Sequence, residues 1–236
     1  MTAQEISKIL RRLADPQIAG HSQRFFKTGI GQYGEGDRFL GIRVPVLREQ
    51  AKKFKNAPLG EVQSLLKSVC HEERLCALLL LVQKFSQGNP ASQKAVYELY
   101  LKNTRYINNW DLVDLSAYRI VGPWLMDKDR QPLYTLARSK SLWERRIAII
   151  ATFHFIKNRQ FDDTLEIAGL LLTDREDLMH KATGWMLREV GKRDCMVERN
   201  FLNAHYHQMP RTMLRYAIEK FPEDERSKYL KGLMTA

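Results

Sequence analysis

The chain has 236 residues, 44% of them hydrophobic and 28% charged, with a formal net charge of +11. That hydrophobic share supports a packed core and excludes wholesale disorder. Three cysteines, Cys70, Cys76 and Cys195, are too few for a disulfide framework, and no uncharged apolar run approaches the ~20 residues of a membrane span.

The basic balance, with an isoelectric point near 9.6, makes nucleic acid the first partner to consider and an anionic membrane surface the second. The N-terminal stretch MTAQEISKILRRLAD lacks the long apolar core of a signal peptide. A soluble, cytoplasmic protein is expected. The Cys70–Cys76 spacing fits no common zinc pattern, so no metal is expected.

Helical periodicity runs through the chain. Thr2 and Glu5 form a capping-box pattern ahead of Ile6, Ile9, Leu10 and Leu13. A second helix is predicted from Pro16 to about Phe26. The segment KTGIGQYGEGDRFLGIRVP, 27–45, carries five glycines and reads as a loop. It lacks the phosphate-loop spacing, which argues against nucleotide binding. Further helices are predicted at 45–54, 58–68, 71–86, 90–103, 109–121, 131–138, 141–157, 161–172, 176–192, 196–207, 210–220 and 223–232. Pro90, Asn109, Ser141, Asp174 and Pro210 stand at expected helix starts. No convincing pair of alternating strands occurs. Helix pairs recur at roughly 35–45 residues, the spacing of helical solenoid repeats. The expected fold is therefore all-α, a curved α-solenoid in one domain spanning 1–236. Such a stack offers a concave face suited to an elongated ligand such as duplex DNA.

Three motifs carry possible chemistry. In NNWDLVDLSA, 108–117, Val113, Ala117, Ile120 and Val121 share the buried side of a helix. Trp110 and Asp114, four residues apart, neighbour each other at its edge, with Asp111 and Tyr118 further toward solvent. Trp110 as plain core and Asp114 as a cap or arginine partner is the structural alternative. In SLWERRIAII, Arg145 and Arg146 extend from the first turns of a helix. They are a solvated pair, partners of Glu144 and Asp111, or contacts to a phosphate backbone. In HKATGWMLREVGKR, Lys181, Trp185 and Arg188 form one stripe, either solvated or resting on a sugar–phosphate backbone. Gly184 in mid-helix implies a close approach by another helix or by a ligand. His205 and His207, two apart, face different sides of a helix and do not suit shared metal binding. Ser116 and Cys70 lack a nucleophile signature.

These motifs, with FLGIRVPVLR upstream, resemble the AlkD-type DNA glycosylases of the bacterial DNA alkylation repair family, from about Phe25 to about Lys220. The resemblance implies HEAT-like repeats and removal of N3- and N7-alkylated purines, 3-methyladenine and 7-methylguanine, from duplex DNA. Carried over by motif, the catalytic aspartate falls on Asp114, the two tryptophans at the lesion's deoxyribose on Trp110 and Trp185, and the site arginine on Arg146. DNA contacts fall on Arg48 and Arg188, with Phe25 as an aromatic near the lesion; Arg145 and Lys181 join them from the basic motifs above. The glycine-rich 29–36 segment is longer than in familiar members. A monofunctional enzyme without cofactor, acting as a monomer, is expected. A non-catalytic HEAT-like module binding branched or distorted DNA is the alternative.

Overall fold

The computed structural model describes residues 1–234, and among these it contains only α and 3-10 helices as regular elements. The all-helical expectation holds. The chain divides into two compact units, 1–120 and 121–236.

The first unit holds α1 (Ala3–Arg11), α2 (Pro16–Phe25), α3 (Val44–Lys53), α4 (Leu59–Leu66), α5 (His71–Gln87), α6 (Pro90–Lys102), a 3-10 turn at Thr104–Tyr106, and the start of α7 (Trp110–Leu125). The Thr2–Glu5 capping box forms as expected, each side chain bonding the other residue's backbone N–H. Asn89 caps α6, with Pro90 as its first residue. The centre of this unit is α5, which packs on α3, α4 and α6. Its residues from His71 through Leu78 are all buried, so α5 lacks the solvent face of an ordinary amphipathic helix.

Between α2 and α3 the glycine-rich segment is irregular, as the sequence suggests, apart from an isolated bridge between Arg38 and Cys70. Its end is pinned. Glu72, at the second position of α5, accepts hydrogen bonds from the backbone N–H groups of Leu40, Gly41 and Ile42 at 2.8, 2.7 and 3.3 Å. Gly41 has φ +81°, and a methyl group there would overlap the Asp15 carbonyl oxygen. Both facts require glycine at this point.

The second unit holds α8 (Gln131–Ala137), α9 (Leu142–Ala151), α10 (Phe153–Lys157), α11 (Asp162–Leu170), α12 (Asp177–Gly191), α13 (Cys195–His205), α14 (Arg211–Ala217), a 3-10 turn at Ile218–Lys220, and α15 (Glu223–Lys231). The predicted helix 141–157 is two helices. The Thr152 hydroxyl donates to the Ile149 carbonyl at 2.7 Å, and the chain breaks there. Asp174 does not start α12. It accepts the Glu176 N–H at 3.0 Å instead, and the helix begins three residues later. The hub of this unit is α12, which packs on α9, α11, α13 and α14. Leu187, Leu202, Met213, Leu214 and Tyr229 belong to its core cluster.

Gly184 explains the closest of these contacts. A methyl group at this position would overlap the Met213 carbonyl oxygen and the Tyr216 side chain on α14. Of the two readings of this mid-helix glycine, close approach by another helix is the one realised. Exposed helical glycine replaced by alanine gains about 0.5–1 kcal/mol. At Gly184 overpacking reverses the sign, and Gly184→Ala should destabilise by about 1–3 kcal/mol in urea unfolding. Gly20→Ala, with nothing within 4 Å of the added carbon, should be neutral or stabilising. A more stable Gly184→Ala variant would contradict this packing.

Candidate active site

The start of α7 rests on a buried polar cluster. Asn109 is fully buried; its carbonyl oxygen accepts the Trp110 N–H at 2.9 Å and its amide donates to Asp37 at 3.3 Å. Asp37, on the glycine-rich segment, also accepts from Arg74 Nη2 at 2.6 Å and from His71 Nδ1 at 3.1 Å. The opposite ring nitrogen, His71 Nε2, donates to Asp111 Oδ2 at 2.8 Å. The other oxygen of Asp111 accepts the Leu112 N–H at 2.9 Å. Two carboxylates and two cations thus meet where the loop, α5 and α7 join.

Both ring nitrogens of His71 face carboxylate oxygens, which only accept, so the ring must be the doubly protonated imidazolium. Burial opposes that charge, but the hydrogen bonds it donates to Asp111 and Asp37 outweigh it and push the pKa up to about 9. For Asp37, burial favours the neutral acid, yet His71 and Arg74 hold its carboxyl below the usual carboxylate range. A cation at the first position of α5 is opposed by the helix dipole, and Glu72 and Glu73 in the same turn offset it.

Trp110 stands half-buried beside an aromatic wall. Its ring stacks on Phe26 at 5.3 Å and meets the edge of Phe25 at 6.1 Å. Phe26 stacks on Phe39 at 4.9 Å, and Phe39 on His71 at 4.5 Å. Phe25 is 57% exposed, which leaves an apolar ring in solvent next to Trp110. Asp114 follows one turn after Trp110, also half-buried. Behind it, Val113, Ala117 and Ile120 are fully buried, and the Tyr100 hydroxyl bonds Ser116 at 2.9 Å inside the core. The helix wheel therefore places the buried side and its rim correctly. It misplaces Asp111, which is turned inward by His71 rather than toward solvent. Arg48 is exposed on α3.

In the second unit, the Arg pair does not extend into solvent. Arg145 donates twice to Asp174, at 2.6 and 3.2 Å, and to the carbonyls of Ser139 and Lys140. Four of its five N–H donors are used inside the protein, so the guanidinium acts here as an internal clamp. Arg146 is 5% exposed and donates to the Leu178 carbonyl at 2.5 Å. Trp185 is half-buried; its N–H reaches Glu189 at 3.3 Å and its ring lies 6.0 Å from Phe153. Lys181 pairs with Asp177 at 2.7 Å, and Arg188 pairs with Glu219. No group of three or more metal-ligating side chains occurs among the described residues. None of the described helices is long and apolar enough to cross a membrane.

A family model described as DNA alkylation repair enzyme matches residues 6–221. The chain belongs to the DNA alkylation repair enzyme family. Among solved structures, it is similar to a protein described as "Predicted DNA alkylation repair enzyme from Enterococcus faecalis". The two share 18% identity over 89% of this chain and 97% of the other, with a TM-score of 0.69. No curated protein matches the chain.

For this DNA alkylation repair family member, the residues that sequence reasoning missed are Asp37, His71 and Glu72, and the buried amide of Asn109. The available signals were slight: an acid within the glycine-rich segment, and CHEER opening a helix.

The buried imidazolium has a measurable consequence. A group with a raised folded-state pKa stabilises fully below its unfolded pKa, ~6.5 for histidine, and loses that contribution as pH rises through the folded value. His71 should contribute on the order of 3 kcal/mol below about pH 6.5, lose it progressively as pH rises from 6.5 through 9, and contribute none of it above that. The difference in unfolding free energy between wild type and His71→Gln should therefore shrink between pH 6.5 and 10. Glu198, pushed up to about 8 by burial, titrates in both proteins and cancels. A difference that stays constant over this range contradicts the charged ring.

Proposed function

We propose that the protein is a monofunctional DNA glycosylase that hydrolyses the N-glycosidic bond of N3- and N7-alkylated purines in duplex DNA, on a scaffold of HEAT-like repeats. The observation that carries this reading is the first turn of α7: an indole and a carboxylate on successive turns at the rim of the core, in a member of a DNA alkylation repair family with net charge +11.

The chemistry explains that combination. An alkylated N3 or N7 makes the purine a cation and a good leaving group. As the C1′–N bond breaks, its electron pair returns to the base and positive charge passes to the sugar. Water then adds to C1′ and gives up a proton. The reaction needs negative charge and electron-rich surfaces beside the sugar, more than an acid at the base. Asp114 supplies the anion and accepts the water's proton. Trp110 and Trp185 offer ring faces that favour a cation by ~0.5–2 kcal/mol each. Arg146 completes the set that the family resemblance assigns to this reaction.

For DNA binding, Arg48 is exposed and Phe25 presents a bare ring, while Lys181 and Arg188 exchange their carboxylate partners for phosphates. A non-catalytic module would need neither the acid nor two indoles. Because binding rests on phosphates, log affinity should fall steeply with log salt, by roughly 0.9 per phosphate contact.

Asp114→Asn keeps shape and removes charge. It should cut release of 7-methylguanine from methylated duplex by about 100-fold or more, with duplex affinity near the wild-type value. Unchanged release by this variant would refute the role of Asp114.

A further inference from the structure

We infer that His71 is a positioning residue for the base-excision reaction: by bridging Asp37 and Asp111 as an imidazolium, it fixes the first turn of α7 and so the directions of Trp110 and Asp114. The inference rests on the glycosylase reading above and assigns the two acids of the NNWDLVD motif different tasks.

The geometry leaves His71 little freedom. Its side chain is 2% exposed, and each ring nitrogen is engaged by a different carboxylate, at 3.1 and 2.8 Å. The ring plane is held by Phe39 at 4.5 Å and by Phe26 at 5.1 Å. Phe26 is also the face on which Trp110 stacks, at 5.3 Å. A tilt of the imidazole therefore passes to the indole through one shared ring. The polar route is as short. Asp111 follows Trp110 directly, stands three residues before Asp114, and has both oxygens engaged, one by His71 and one by the Leu112 N–H. Its charge is neutralised by His71, so it serves as an anchor, while the part of reacting anion stays with Asp114 as the family resemblance assigns it.

The ionisable groups facing His71 are Asp37 from the loop, Asp111 from α7 and Arg74 from α5 itself. With His71 protonated their charges sum to zero. Loss of the proton leaves one ring nitrogen as an acceptor against a carboxylate, and one of the two bridges must open. The excision rate should therefore fall in an alkaline limb near pH 9, where the His71 proton is lost. A residue with only a structural role lowers stability without setting such a limb.

The test compares the full-length protein with His71→Gln and with the double variant His71→Gln/Asp111→Asn. Single-turnover release of 7-methylguanine is followed from pH 6 to 10, after subtraction of spontaneous release, at a temperature where circular dichroism shows each protein folded. Duplex affinity is measured in parallel. His71→Gln should lose on the order of tenfold to 100-fold in the maximal rate, keep its duplex affinity, and lack the alkaline limb. The double variant should regain part of the rate, because two carboxamides restore one hydrogen bond without a stranded buried carboxylate. If His71→Gln does not fold, Asp111→Asn alone should show the same rate loss and an altered limb. A wild-type rate and pH profile in the folded variant overturns the inference, as does a loss explained wholly by weaker binding. If the wild-type protein releases no base, the glycosylase reading falls, and this inference with it.

Discussion

The structure turns on a charge cluster that excludes water. Asp37, Arg74, His71 and Asp111 form a chain of hydrogen bonds between 2.6 and 3.1 Å, three of the four almost fully buried. Any one of these charges left alone in the interior would cost several kcal/mol. Together they are neutral, but only in one arrangement. That intolerance is useful. It ties an irregular glycine-rich loop, the first turn of α5 and the first turn of α7 to one another in a single geometry. Glu72 extends the arrangement by gathering three backbone N–H groups of the same loop. Trp110 and Asp114 lie on the helix turns that this cluster fixes.

The same arrangement resolves an apparent conflict. A chain with net charge +11 suits a polyanion, yet it places acids beside a tryptophan. One of those acids, Asp111, balances an internal cation. The other, Asp114, sits at the rim of the core next to an indole in a stacked aromatic wall. In the proposed reaction the long-range positive field gathers phosphates, while a local anion and ring faces favour the sugar cation that forms when a charged purine leaves. The two requirements have opposite sign and operate at different distances, so they coexist in one protein.

Much of the fold was legible in the sequence because it is written locally. The Thr2–Glu5 capping box, the Asn89–Pro90 start and the apolar stripe through Val113, Ala117 and Ile120 depend on residues within a turn or two of each other. The motif around Trp110 and Asp114 was legible for the same reason. Several features set by a distant partner escaped. The Asp37–His71 pair is 34 residues apart and one end lies in a loop with no periodicity. Arg145 and Arg146 look solvated on a helical wheel, yet Asp174 and the Leu178 carbonyl, 29 and 32 residues on, draw them in. The break at Thr152 depends on a side chain competing for a backbone carbonyl, which apolar periodicity does not register. Gly184 was readable as a close approach, and α14 is the element that makes it.

The central claim is that excision depends on the positive charge of the lesion, because the protein supplies an anion and aromatic faces rather than an acid at the base. The most direct measurement is free-base release from two duplexes of identical sequence, one carrying 7-methylguanine and one carrying hypoxanthine, a neutral purine lesion, under single-turnover conditions. The account predicts release of 7-methylguanine and none of hypoxanthine above the spontaneous rate, with both duplexes bound to similar extents. Comparable release of both bases would contradict it.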